Sequence, residues 1–161
     1  MVREVRLTDA EDITLIYNYY IENTVITFEE VKVSVDEITK RIKEYTASYP
    51  WFVFEEDKKV IGYCYAYQWK SRSAYRYSAE TAIYVQENRH SKGIGTALYT
   101  HLLHELKKRG IHTLVAGITL PNEKSEKLHE KAGFTKAAHF KEIGNKFGTW
   151  LDVGYWELQL K

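Results

Sequence analysis

The run Arg89-His90-Ser91-Lys92-Gly93-Ile94-Gly95 lies between an apolar, strand-like stretch, Thr81-Ala82-Ile83-Tyr84-Val85, and a helix-like run from Ile94 to Arg109. The order strand, glycine-bearing turn, helix is one that binds anions. The first N–H groups of a helix lack an intrahelical partner, and the helix dipole places partial positive charge there. Gly93 and Gly95 let a ligand approach the backbone closely, and Lys92 and Arg89 add cationic charge. Phosphate or pyrophosphate binding is the chemistry this favours. The same glycines would also suit a tight turn that needs them for its dihedrals, and the run alone leaves both readings open.

The elements that must position this run follow from patterning. Val2 to Leu7 alternates and predicts an opening strand. Thr8-Asp9-Ala10-Glu11 is a capping-box pattern, so a helix should begin there, with Ile13, Ile16, Tyr17, Tyr20 and Ile21 on one face. Ser34-Val35-Asp36-Glu37 is a second such box, opening a helix with Ile38, Ile42 and Tyr45 on one face, and Pro50 ends that region. Trp51–Glu55 and Val60–Gln68 flank the polar turn Glu56-Asp57-Lys58-Lys59 and predict a hairpin. Lys70–Tyr77 reads as a loop and Glu80–Val85 as the strand before the glycine run. The next helix carries Leu98, Leu102 and Leu106 at steps of four, and Gly110 suits its C-terminal cap. His112–Ile118 is a strand, Asn122 caps a short helix through Lys131, and Gly133 closes it. Phe134–Ile143 and Trp150–Leu160 are the last strands, separated by Gly144-Asn145-Lys146-Phe147-Gly148. This order implies a mixed α/β sheet with helices on both faces.

Composition narrows the function classes. At 161 residues the chain suits one domain, 1–161, with a real core. A net charge of +1 supplies no global field to recruit nucleic acid or an anionic membrane. No apolar run approaches the roughly 20 residues that span a bilayer. The opening Met1-Val2-Arg3-Glu4-Val5-Arg6 is charged at once, unlike a signal segment, and the single Cys64 suits a reducing compartment, so a cytoplasmic location is expected. His101, His104, His112 and His139 show no metal-ligand pattern, so no metal is expected. The 13 tyrosines and 4 tryptophans suit a lined pocket, a subunit interface or simply a Tyr-rich core.

Several separated motifs together resemble the GCN5-related N-acetyltransferase (GNAT) family. Its pyrophosphate loop reads Gln/Arg-x-x-Gly-x-Gly/Ala; His90-Ser91-Lys92-Gly93-Ile94-Gly95 matches, with His90 in place of Gln or Arg. Asn122 through Gly133-Phe134 resembles the second signature, an Asn after a strand and a short helix ending in Gly-Phe. Thr24–Glu29, Arg72-Ser73-Ala74-Tyr75-Arg76 with Ala79-Glu80, Val115–Ile118, Leu128-His129-Glu130 and Lys146–Gly154 resemble the phosphinothricin acetyltransferase-like branch. The resemblance covers nearly the whole chain. It implies the GNAT fold, an α/β arrangement with a mixed, mostly antiparallel central sheet.

It also implies acetyl-CoA as cosubstrate and a small amino-acid-like amine as acceptor, of the phosphinothricin, methionine sulfoximine or methionine sulfone type. Transfer would be direct, in a ternary complex. The resemblance assigns cofactor contacts to Ile83, Tyr84 and Val85, to His90, Ser91, Lys92, Gly93, Ile94, Gly95 and Thr96, and to Asn122 and Ser125. An α-amino group has a reference pKa near ~8, so a base helps at neutral pH. Glu80 is the leading base, against the alternative of a surface strand carboxylate. His129 is a second proton handler near its reference pKa of about 6.5, or else a capping or packing histidine. Arg72 would clamp a carboxylate bidentately, Phe28 and Tyr75 would wall the pocket, Glu29 would add acceptor groups, and Lys146 would reach a second anionic group or remain a solvated loop lysine. Relatives in this branch are commonly homodimers, and Trp150, Tyr155 and Trp156 could supply that interface or belong to the core. Two rival readings are a GNAT enzyme for a polyamine, an aminoglycoside or a protein N-terminus, and a non-catalytic acyl-CoA-binding module.

Overall fold

The computed structural model describes residues 1–90 and 92–161; Ser91, one of the expected pyrophosphate-loop residues, lies outside the described residues. The chain runs β1 (Val2–Glu4), α1 (Ala10–Asn23), α2 (Val35–Thr46), β2 (Trp51–Glu56), β3 (Lys59–Gln68), β4 (Ser78–Val85), α3 (Ile94–Lys108), β5 (Thr113–Leu120), α4 (Glu123–Lys131), β6 (Thr135–Lys146) and β7 (Thr149–Gln159). The strands form one seven-stranded sheet in the order β1-β2-β3-β4-β5-β7-β6. Among the described residues only β4 and β5 pair in parallel. This is the mixed, mostly antiparallel sheet expected, with helices on both faces. No described helix is long and apolar enough to cross a membrane.

Alternation along the strands builds two cores. On one face Leu98, Leu102 and Leu106 of α3 pack with Leu114, Ala116 and Ile118 of β5 and with Phe134 and Trp156. On the other, Ile13, Ile16, Tyr17, Tyr20 and Ile21 of α1 and Ile38 and Ile42 of α2 pack on Trp51, Val53 and Tyr63. Each fully buried Leu or Ile contributes roughly 1.5–3 kcal/mol. Six of the 13 tyrosines, Tyr17, Tyr20, Tyr45, Tyr63, Tyr65 and Tyr84, belong to the second core or pack against it. Tyr45 stacks on Tyr65 and Tyr67, and Trp51 lies 4.2 Å from Tyr65 by ring centroids.

Three local expectations need correction. The box at Thr8 does not cap α1. A short 3-10 turn, Leu7–Asp9, precedes the helix, and the Asp9 carboxylate accepts from Arg3 and from the Arg6 N–H instead. The first strand therefore stops at Glu4. The last hairpin is tighter than its glycines suggested: β6 continues to Lys146, and Phe147 (φ 55°) and Gly148 (φ 72°) make the turn. Two successive positive φ values match the right-handed twist of the strands they join.

One feature of the sheet prepares the site. The β4–β5 pairing covers only Ser78–Glu80 against Thr113–Val115. Beyond Glu80, β4 keeps its β3 partners, while β5 continues alongside β7. The sheet is therefore split between Thr81–Val85 and the second half of β5, and β4 has no strand partner along that edge.

Candidate active site

The split opens onto the start of α3. Gly93 is the residue before the helix, with φ 76°, a left-handed conformation that favours glycine. Gly93 has no side chain with which to cap that end, so it leaves the leading N–H groups of α3 open to a ligand. Gly95 has a different task. A Cβ there would lie 3.1 Å and 3.2 Å from the two methyl carbons of Leu128, so its bareness lets α4 pack closely on α3. Gly62 on β3 does the same beneath α3, where a Cβ would come 3.2 Å from Ile94 Cγ2. Asn122 Oδ1 accepts from the Ser125 N–H at 3.2 Å and starts α4 beside the loop.

These contacts enclose a groove of about 490 Å³. Ile83, Tyr84, Val85, His90, Gly93, Ile94, Gly95, Thr96, Asn122 and Ser125 all line it, so ten of the expected cofactor residues meet in one place. Lys92 stands exposed beside it. Patterning had not singled out Lys124, Lys127 and Lys131, which α4 also presents to the groove. Their spacing of three and four residues was the available signal. The groove thus joins a cationic, N–H-bearing end to an unpaired apolar strand edge. It suits a ligand with a polyanionic head and an amide-containing arm, and coenzyme A fits that description.

His90 is tied to the fold. Tyr20 on α1 donates its hydroxyl proton to the Val85 carbonyl, so it must accept from His90 Nε2–H, at 2.8 Å. The imidazole therefore braces the loop against α1 and the end of β4.

Glu80 sits at the last paired position of β4, where the split begins. It is half-buried, on the face opposite Thr81, Ile83 and Val85. Burial raises its pKa above the ordinary glutamate value, and the Tyr67 phenol and the Lys70 ammonium pull it back down in part. Tyr67 is its register partner on β3. Across the split, Gly117 on β5 faces Tyr155 on β7. A Cβ on Gly117 would lie 3.2 Å from Tyr155 Cε1 and 3.6 Å from Glu80 Oε1. Tyr67, Lys70, Gly117 and Tyr155 thus surround the carboxylate, although none was a candidate for the catalytic site. Finding them requires the strand register, which no local pattern carries.

His129 is not beside Glu80. It is 3% exposed and lies on the other face of the sheet, edge-on to Tyr99 and Phe134. Its Nδ1–H donates to the Ser125 carbonyl at 2.7 Å, which leaves Nε2 to accept from the Tyr99 hydroxyl at 2.7 Å. Tyr99 in turn accepts from Thr81 Oγ1 at 3.1 Å. Burial lowers the His129 pKa, consistent with a neutral ring whose two nitrogens are both engaged.

The expected acceptor residues divide. Arg72 precedes and Tyr75 ends a 3-10 turn, Ser73–Tyr75, after Trp69 and Lys70; both are exposed, and among the described residues Arg72 has no carboxylate partner. Phe28 lies on the bare face of Gly144, where any side chain would overlap its ring. Glu29 is already engaged: both oxygens accept from Arg41, at 2.7 Å and 2.8 Å, and one also accepts from Tyr17. It therefore holds α2 to the 24–33 segment and offers no free oxygen. Lys146 is not an open loop lysine. It ends β6, is 1% exposed, and donates from Nζ to the Thr27 carbonyl at 2.8 Å. Burial lowers its pKa, with Glu30 and Glu29 opposing. Trp156 is core, Tyr155 is half-buried beside Glu80, and Trp150 is 65% exposed. Among the described residues no group of three His, Cys, Asp or Glu side chains is set to hold a metal ion.

Comparison with known proteins agrees with this geometry. A family model described as an acetyltransferase (GNAT) domain matches residues 2–154. A phosphinothricin N-acetyltransferase of Streptomyces viridochromogenes is 35% identical over 156 residues, covering 97% of this chain and 85% of its own. An L-methionine sulfoximine/L-methionine sulfone acetyltransferase of Salmonella typhimurium is 36% identical over 163 residues, covering 97% and 94%. A crystal structure of a GNAT superfamily phosphinothricin acetyltransferase from Sinorhizobium meliloti, in complex with acetyl-CoA, superposes with a TM-score of 0.95 at 34% identity, covering 99% of this chain and 88% of that one.

Proposed function

The chain belongs to the GNAT acetyltransferase family, and from that premise we propose that it moves acetyl from acetyl-CoA to the amine of a small amino-acid-like acceptor. The observation that carries this reading is the position of Glu80: a carboxylate of raised pKa at the start of the split, on the same strand whose Ile83–Val85 line the groove. The thioester enters along Ile83–Val85 and the acceptor from the Glu80 side, so both ligands are held together and transfer is direct. Glu80 takes a proton from the ammonium, directly or through a water. The freed nitrogen bonds to the acetyl carbon, the carbon–sulfur bond breaks, and the proton that the nitrogen sheds as the amide forms goes to the sulfur, so coenzyme A departs as the thiol. Backbone N–H groups at the start of α3, with Lys92 and the lysines of α4, hold the pyrophosphate and phosphate charges.

The acceptor class is that of the relatives named above: phosphinothricin, methionine sulfoximine or methionine sulfone. Arg72, exposed and without a carboxylate partner among the described residues, is suited to the acceptor's carboxylate. Phe28 and Tyr75 wall the pocket. Lys146 acts indirectly, by fixing the Thr27 carbonyl and so the segment that bears Phe28. His129 likewise acts through Tyr99 and Thr81, holding β4 to α3 and α4. The active form is a homodimer that covers the exposed Phe147 and Trp150 of the last hairpin.

The test is steady-state thiol release with acetyl-CoA and a panel of amines. Methionine sulfone and phosphinothricin should be turned over in strong preference to spermidine, an aminoglycoside or a peptide with a free N-terminus. Preference for any of the last three overturns the acceptor assignment, and thiol release with none of the panel overturns the enzymatic one.

A further inference from the structure

Helices α1 and α2 cover the β2–β3–β4 half of their face of the sheet. On the other half, β5 and β7 present Gly117 and Tyr155 toward that face, and Gly117 is exposed. Three aromatic rings meet beside it. Tyr155 is edge-on to Trp69 at 5.7 Å and 69°, and edge-on to Phe140 at 5.8 Å and 86°. Trp69 and Tyr155 are half-buried and Phe140 is exposed, so this trio stands on the open sheet next to the carboxylate. Lys70 Nζ lies 5.0 Å from the Trp69 ring centroid, which places a cation at the rim.

We propose that Trp69, Phe140 and Tyr155 form the wall that reads the acceptor's side chain, with the amine aimed at Glu80 across Gly117. The inference rests on the function proposed above and adds how the acceptor is selected. The rings offer apolar edges and faces and one hydroxyl, so the matching side chain is uncharged and several atoms long. A cationic side chain is disfavoured by Lys70 at the rim, and a short one leaves the rings unfilled. Gly117 is bare because phenol and carboxylate converge above it: a methyl group would stand 3.2 Å from Tyr155 Cε1 and 3.6 Å from Glu80 Oε1, in the path of the amine.

The experiment compares methionine sulfone with 2-aminobutyrate, which share the amine and carboxylate but differ in side-chain length. It uses the wild-type chain, Tyr155→Ala, Tyr155→Phe, Trp69→Ala and Gly117→Ala. Loss of a ring should cut the ratio of kcat/KM for methionine sulfone over 2-aminobutyrate by about tenfold or more, whereas Tyr155→Phe, which keeps the ring, should hold it within about threefold. Gly117→Ala should raise KM for both acceptors. Acetyl-CoA affinity, measured by titration calorimetry, should stay within about twofold in all variants, since no altered residue lines the cofactor groove. Trp69→Ala, at the half-exposed end of the wall, carries the test where Tyr155→Ala does not fold. An unchanged ratio in Trp69→Ala, with the wild type active, overturns the wall and leaves the proposed function standing. A wild type that acetylates neither amino acid overturns both.

Discussion

Glu80 shows how much a single ionisable side chain depends on its neighbours. Burial pushes its pKa up from 4.5, while Tyr67 and Lys70 favour the charged form. A base must be ionised, so activity should fall as pH drops through a value above that of an ordinary glutamate. Tyr67→Phe removes a stabiliser of the carboxylate, so the acid limb of kcat/KM for the acceptor should move to higher pH. The alkaline rise from deprotonation of the free acceptor, near ~8, should stay where it is. Glu80→Gln should lower kcat by roughly 10²–10⁴-fold with little change in acetyl-CoA affinity. Stopped assays across pH 5 to about 9 would measure both limbs. An acid limb that ignores Tyr67→Phe would mean that some other group is the base.

At the scale of elements, close packing around bare glycines shapes the groove proposed for the cofactor. Gly93 supplies a left-handed φ, whereas Gly95 admits Leu128 of α4. Gly95→Val should therefore raise KM for acetyl-CoA by tenfold or so, as overpacking costs typically 1–3 kcal/mol, and His90→Ala should do less. Adding Leu128→Ala to Gly95→Val should recover part of the loss. No recovery would place the damage at the phosphate itself rather than at the helix contact.

The N-terminal clasp is a second case. Arg3 donates to Asp9 through two nitrogens, each at 2.8 Å, and also to Glu55, fastening β1 and the turn before α1 to β2. Arg3→Ala leaves Asp9 buried without its cation and should cost about 3–5 kcal/mol in urea unfolding. Asp9 has its pKa lowered from 3.8 by Arg3 and the Arg6 N–H, against burial. Its contribution is present in full above 3.8 and is lost as pH falls through the lower folded value. The Arg3→Ala penalty should therefore shrink in strong acid, and a penalty that is constant with pH would argue against the ion pair as its source.

For the whole molecule, the exposed surface of the last hairpin matters most. Phe147 in the turn is 61% exposed and Trp150, next to the turn on β7, 65%, with Ile143 on β6 at 57%. Large apolar residues clustered at the surface mark interaction sites. Sedimentation equilibrium should find a dimer at micromolar concentration, and Phe147→Ser with Trp150→Ser should yield monomers that still bind acetyl-CoA. A wild-type monomer at every concentration would remove the homodimer from the proposed function.

The order of elements was legible in the sequence because it rests on local physics. Step-of-four leucines make α3, Asn122 starts α4 through its own third neighbour, and the glycine run follows an apolar strand. The residues that the family resemblance assigns to the cofactor come together along one groove, with Lys92 beside it. Local patterns failed where a long-range partner outbid the local one: Asp9 answers Arg3 rather than a capping box, Glu29 answers Arg41, and Lys146 lies beneath Thr27. Only the tertiary structure decided what surrounds Glu80. Its register against Tyr67, the end of the parallel pairing at Val115 and the facing of Gly117 to Tyr155 depend on which strands pair, and in which phase. A shift of one residue would send every side chain to the other face. By the same rule Glu80 and Thr81, adjacent in the chain, serve opposite faces, which sets His129, bonded through Tyr99 to Thr81, apart from the Glu80 carboxylate.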